Sequence, residues 1–182
     1  MSLKVIAFDV FGTIVDMSGV PPLEIIDYGN HIRLPEWSPL VLPESWKKLP
    51  AFPDAAAGIE MLRTRFKVVT CANGPADVLR AIFDHNEIDV DLIVPLERLQ
   101  VFKPSKQAYL WACAAAGAHP SECMMVTANV PGLGDLDVAR SLGMQAQAIR
   151  QGPFEGPETI IDLAQFLFTA VPKPCVRYKG FP

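Results

Sequence analysis

The sequence has no apolar run approaching the roughly 18 residues a membrane-spanning helix needs, so no membrane segment is expected. Cysteine is scarce: Cys71, Cys113, Cys123 and Cys175 are all there are. Their spacing fits neither a metal cluster nor a dense disulfide framework, and reduced thiols in a cytoplasmic protein are the simple expectation. A basic N-terminal segment leading into an apolar stretch is missing too, so no signal peptide is expected. Nor is there a basic excess. The net charge is −4 and no predicted helix carries a basic stripe, which argues against nucleic acid as a partner. Internal repeats are absent.

Proline, by contrast, is plentiful. Seventeen prolines gather at 21–53 and 153–182, which marks both stretches as rich in loops. The 182 residues are about enough for one domain with a real core.

Leu3 to Phe8 is a short apolar run with β-branched residues at its middle, read as a buried parallel strand. It delivers Asp9 to its C-terminal end, where ligands bind in open α/β sheets. Gly12 then permits a tight turn, and Thr13 adds a hydroxyl. A capping role for Asp9 is the plain alternative.

Residues 17–50 are expected to form a proline-punctuated flap with short helical turns near 23–28 and 44–49. Trp37 and Trp46 ask for burial there. Arg33 could hold an anionic substrate if the flap lies beside Asp9. Asp54 is expected to cap a helix. A strand over 66–71 ends in Ala72, Asn73 and Gly74, and the turn and helix start that follow form a potential anion site. Residues 91–94 are a further strand candidate. Lys103 precedes Pro104, which keeps it out of the helical region and presents it at a helix entrance. Strands at 123–127 and 144–149 flank a loop holding Asn129 and Asp135 and a helix over 136–142. An amphipathic helix over 158–170 precedes a tail.

Strands alternating with helices predict an α/β fold, a doubly wound, Rossmann-like parallel sheet with helices on both faces. The expected division is a core of 1–16 and 51–171, a small insert at 17–50, and a C-terminal tail at 172–182. Asp9, Asn73 with Gly74, Lys103 and Asp135 would then line one crevice.

With these motifs the chain resembles the haloacid dehalogenase superfamily of hydrolases over nearly its whole length. Asp9, Val10, Phe11, Gly12 and Thr13 are similar to its first motif, Ala72 to Gly74 stand at its second, Lys103 and Pro104 at its third, and Asp135 to Met144 at the tail of its fourth. Phosphatases of the superfamily carry an acid two residues after the nucleophile, where this chain has Phe11. They hold Mg²⁺ with an acid opening the fourth motif, where it has Ala128. An aromatic followed by Gly-Thr resembles instead the 2-haloacid dehalogenase branch, which works without a metal. Trp46, the Phe52-Pro53-Asp54 run, the Lys103–Tyr109 spacing and Met124 to Val126 resemble that branch as well.

The resemblance implies Asp9 as nucleophile, Lys103 keeping it ionised, and Asp135 anchoring the lysine or activating water. It implies substrate contacts from Phe11, Thr13, Asn73, Gly74, Tyr109, Asn129 and Arg33, a small anionic substrate, and no cofactor. Three departures stand out. Ala72 replaces a serine, for which Thr70 on the same strand face is the nearest substitute. The loop from Asn129 to Asp135 is longer than in the branch. The insert at 17–50 is a much reduced cap, which leaves room for a larger substrate or for a second subunit to cover the site. Trp37 and the proline-rich flap would suit a homodimer contact. Two alternatives stay open: a Mg²⁺-dependent phosphatase using Asp135 or Asp137, and an inactive member serving in binding or assembly.

Overall fold

The computed structural model describes residues 2–128, 134–150 and 156–170. The tail expected at 172–182, Cys175 and the candidate Asn129 lie outside the described residues.

Four short segments form a parallel sheet: β1 (Val5–Phe8), β2 (Lys67–Thr70), β3 (Cys123–Thr127) and β4 (Gln145–Ala148), in the order β2-β1-β3-β4. Ile6 lies beside Val68 on one side and Met124 on the other. Every residue of β1 and β3 is buried, as central parallel strands covered on both faces must be. The helices are α1 (Pro22–His31), α2 (Ala55–Arg63), α3 (Ala76–His85), α4 (Lys106–Ala116), α5 (Asp135–Ser141) and α6 (Ile160–Ala170).

Because side chains alternate along a strand, the sheet feeds two cores. Ile6, Phe8, Val68 and Val126 pack with Ile59 and Leu62 of α2, Leu79 and Ile82 of α3, and Leu163 of α6. Val5, Ala7, Val69 and Met125 pack instead with Ala108, Tyr109 and Ala112 of α4 and Ala139 of α5. The doubly wound expectation therefore holds. The chain reverses its winding across β1, so the crevice above β1 and β3 is where such a sheet binds ligands.

Several expectations need correction. Residues 91–94 do not form a full strand; a single parallel bridge joins Leu92 to Val69. The reason is that side chains replace ladder carbonyls: the Val68 N–H donates to the Asp91 carboxylate at 2.7 Å, and the Val94 N–H to the Thr70 hydroxyl at 2.9 Å. That bond also commits Thr70, fully buried, so it does not stand in for a serine at Ala72. The flap is more regular than its prolines suggest, since Pro22 sits in the first turn of a ten-residue helix, where a missing N–H costs nothing. Trp46 is buried as expected, and its indole N–H donates to Glu24 at 2.8 Å. Trp37 is half-buried.

Asp54 does stand at the start of α2, but its side chain makes no capping bond. It accepts instead from the Ile160 N–H at 2.7 Å and pairs with Arg150 at 3.0 Å. Cys71, Cys113 and Cys123 are free and buried, and burial pushes the Cys71 thiol up to about 12.

Candidate active site

β1 ends by handing its chain to a tight turn. The Asp9 N–H donates to the Val126 carbonyl of β3 at 2.9 Å, and the Gly12 N–H to Val15 at 2.9 Å. Gly12 has φ of +79°, a left-handed conformation that other residues adopt only under strain. The turn throws the Asp9 side chain, 15% exposed, over the ends of the central strands.

Three segments far apart in sequence meet there. The Lys103 ammonium, 4% exposed, donates to Asp9 Oδ1 at 2.8 Å and to Asp135 Oδ2 at 2.6 Å. The Tyr109 hydroxyl donates to the other Asp135 oxygen at 2.6 Å, and the Thr13 hydroxyl to Asp9 Oδ2 at 3.0 Å. Asn73 clamps the lysine's backbone: Lys103 N–H donates to Asn73 Oδ1 at 2.6 Å, and Asn73 Nδ2 donates to the Lys103 carbonyl at 3.0 Å. The lysine is thus fixed at both its backbone and its tip.

Two carboxylates share one ammonium. Burial pulls Lys103 down, but the charges of Asp9 and Asp135 outweigh it and hold the ammonium well above the ordinary lysine value. Burial pushes the Asp9 carboxyl up, the Lys103 charge pulls it back, and the result lies above the ordinary value. The site can therefore present a desolvated carboxylate held by one cation, an arrangement suited to nucleophilic attack.

Asp9 opens onto a cavity of about 440 Å³ that Lys103, Asn73, Asp135, Phe11 and Arg33 also line. Phe11 is nearly buried and meets Tyr28 and Trp46 edge-on, with ring centroids at 5.5 and 5.2 Å. Arg33 is exposed and donates to the Gly29 carbonyl at 3.2 Å.

Other candidates sit differently from expectation. The Thr13 hydroxyl does not face the cavity, because it is fully buried between Asp9 and the Ala128 N–H, which donates to it at 2.9 Å. Tyr109, also fully buried, reaches the site only through Asp135. Gly74 lies against the Phe11 ring, where an added Cβ would come within 2.9 Å, so it serves packing rather than the cavity. The start of α3 is not an open anion site either: the Ala76 N–H donates to Glu97 at 3.1 Å. Asp135, nearly buried, anchors Lys103 through one oxygen and accepts from Tyr109 through the other.

Tyr28, Met17, Ile25 and Ile26 also line the cavity and were not singled out from the sequence. Ile25, Ile26, Gly29 and Ile32 recur at helical spacing, a signal that the surrounding prolines obscured. Arg150 was missed as well. It bonds the Thr13 carbonyl at 2.7 Å, pairs with Asp54 and covers the Phe52 ring at 3.7 Å, bracing the turn that carries Asp9.

The space between Asp9 and Asp135 is taken by the Lys103 ammonium, and Asp137 is exposed beside Arg140. Among the described residues no group of three or more His, Cys, Asp or Glu could hold a metal ion. The side chains present do not fit a Mg²⁺ between the two carboxylates.

No family model matches the sequence. The (S)-2-haloacid dehalogenase 4A of Burkholderia cepacia is 31% identical over 96 residues, and (S)-2-haloacid dehalogenase 1 of Pseudomonas sp. (strain CBS-3) is 25% identical over 96 residues. Each match takes in 51% of this chain, which spans only 42% of either relative. The solved L-2-haloacid dehalogenase from Xanthobacter autotrophicus superposes with a TM-score of 0.74 at 18% identity, covering 92% of this chain and 99% of that one. The fold is that of the haloacid dehalogenases. Proteins of this haloacid dehalogenase fold include a phosphatase from Thermococcus onnurineus, similar at a TM-score of 0.68 and 20% identity over 91% of this chain and 98% of that one. The Xanthobacter dehalogenase has also been solved with chloropropionic acid covalently bound, a structure similar to this chain at a TM-score of 0.72 and 16% identity, over 93% and 100% of the two chains. No described helix is long and apolar enough to cross a membrane.

Proposed function

We propose that the protein is a metal-independent hydrolase of 2-haloacids that works through an aspartyl ester. The observation that carries this reading is the Asp9 carboxylate, held by Lys103 at 2.8 Å and Thr13 at 3.0 Å at the mouth of a cavity, with Phe11 where a phosphatase would need an acid. An Asp9 oxygen attacks the halogen-bearing carbon; the carbon–halogen bond breaks and halide leaves with the electron pair. Halide needs no protonation on departure, so the apolar Phe11 is no handicap. Water then adds at the ester's acyl carbon, restoring the carboxylate and releasing a 2-hydroxyacid and a proton.

Asp9, Asp135 and Lys103 together carry a net charge of −1, and the substrate carboxylate adds another. Arg33 is the one further cation among the described residues lining the cavity, and it is proposed to hold that carboxylate. Residues 17–50 act as a reduced cap over a core of 1–16 and 51–171. Support comes from the similarity to two curated 2-haloacid dehalogenases and from the covalently bound chloropropionic acid in the Xanthobacter structure.

Asp9→Asn should abolish release of chloride from 2-chloropropionate while the far-ultraviolet circular dichroism stays unchanged; turnover by the variant would refute the nucleophile. A chelator should leave the wild-type rate intact. Loss of activity on chelation, restored by Mg²⁺ and accompanied by phosphate-ester cleavage, would favour the phosphatase reading. Arg33→Met should raise KM for the haloacid roughly 10- to 100-fold, the worth of a charge-assisted hydrogen bond, with kcat little changed.

A further inference from the structure

The cavity above Asp9 is larger and more apolar than a small haloacid needs. A three-carbon 2-haloacid has six heavy atoms; at about 30 Å³ for each water-sized group, it fills less than half of the 440 Å³. Of the polar groups in the lining, Asp9, Asn73 and Asp135 are bonded to Lys103, while Asn30 and Arg33 lie on the α1 side. The remaining space is walled by Phe11, Met17, Ile25, Ile26, Tyr28 and Ile32.

The α1 wall is unusual in its own right. No residue of α1 is buried, yet Ile25 and Ile26, 41% and 54% exposed, are turned to the cavity. Gly29, on the same wall, leaves the space a side chain would fill, and an added Cβ would lie 3.2 Å from the Arg33 guanidinium. An apolar wall beside a cationic group that can hold a carboxylate matches an amphiphilic acid: carboxylate to Arg33, reacting carbon to Asp9, tail along the isoleucines.

We infer that this cavity takes 2-haloalkanoates with an extended apolar tail in preference to two- and three-carbon haloacids, an inference that rests on the dehalogenase reading above. The tail covers the isoleucines and displaces water from beside Asp9, so that the substrate itself supplies part of the water exclusion a larger lid would give.

The test has two readouts. Affinities of unhalogenated n-alkanoates from propionate to decanoate are measured by calorimetry, below their self-association concentrations, and kcat/KM is measured for 2-bromoalkanoates of the same lengths. Burial of successive methylenes should tighten binding and raise kcat/KM by about fourfold per carbon over the first several carbons. Replacing both isoleucines (I25N/I26N) should flatten that gradient to under twofold per carbon. These side chains are partly exposed, so the fold should tolerate the change. Turnover of 2-bromopropionate with no gain along the series would overturn the inference and leave the dehalogenase reading standing. Absence of turnover for every haloacid would overturn the dehalogenase reading, and the alkanoate affinities then judge the tail site alone. A gradient that persists in I25N/I26N, or a flat series with the wild-type isoleucines covered in a dimer by sedimentation, also overturns it.

Discussion

Asp9 and Lys103 set the chemistry through opposing electrostatics, and each shifts the other's titration. The Asp9 carboxyl lies above the ordinary 3.8, burial being the main cause, and the ionised form is the one that attacks. Activity should therefore fall as the pH drops through a value higher than a free aspartate would give. Lys103 stays charged to well above 10.5, so its own deprotonation should impose no alkaline limb below about that pH. A pH–rate profile checks both limbs. In Lys103→Met the acid limb should move further up, because the cation that stabilises the carboxylate is gone. Tyr109→Phe should leave a buried oxygen of Asp135 with one donor fewer, costing about 1–3 kcal/mol in a denaturant titration. The sequence carried Asp9, Lys103 and Asp135 plainly, because each ends a strand or opens a helix. It did not show which hydroxyls face the cavity. Thr13 and Tyr109 have the right chemistry for substrate contact, and only their burial behind Asp9 and Asp135 gives them a positioning role.

The elements that hold the site are joined by a few close contacts. α2 and α6 meet at Gly58, where an added Cβ would lie 2.8 Å from the Ile160 backbone. Gly58→Ala should thus destabilise the protein by about 1–3 kcal/mol despite its better helix propensity, a change read from the midpoint of urea unfolding. The 17–50 segment is pinned to the core by Trp46, 1% exposed, and by Tyr28, both of which meet the Phe11 ring. Trp46→Ala should cost about 3–5 kcal/mol and should weaken substrate binding, because Phe11 and Tyr28 wall the cavity. Periodicity alone located β1, β3 and α6 to within a residue or two. It failed at 91–94, where side-chain bonds from Asp91 and Thr70 replace ladder bonds, and at α1, where prolines outweighed a helical pattern of isoleucines. Both failures arise from interactions between segments that no local window contains.

Across the whole molecule, the site depends on strand order. Parallel strands β2, β1 and β3 bring Asn73, Asp9 and Asp135 to one edge of the sheet, and Lys103 crosses above them. Arg150 closes the arrangement from the far end of the chain, binding the Thr13 carbonyl and Asp54, the residue whose other bond holds α6. The sequence by itself determined the alternating apolar pattern, hence the α/β sheet, and it determined the residues of the nucleophile motif, because both are local properties of the chain. Tertiary structure alone decided that one ammonium would sit between two carboxylates, that the start of α3 would be occupied by Glu97, and that the wall facing Asp9 would be isoleucine. Those outcomes depend on distances between residues 16 to 126 positions apart, which are set only when the two cores pack against the sheet.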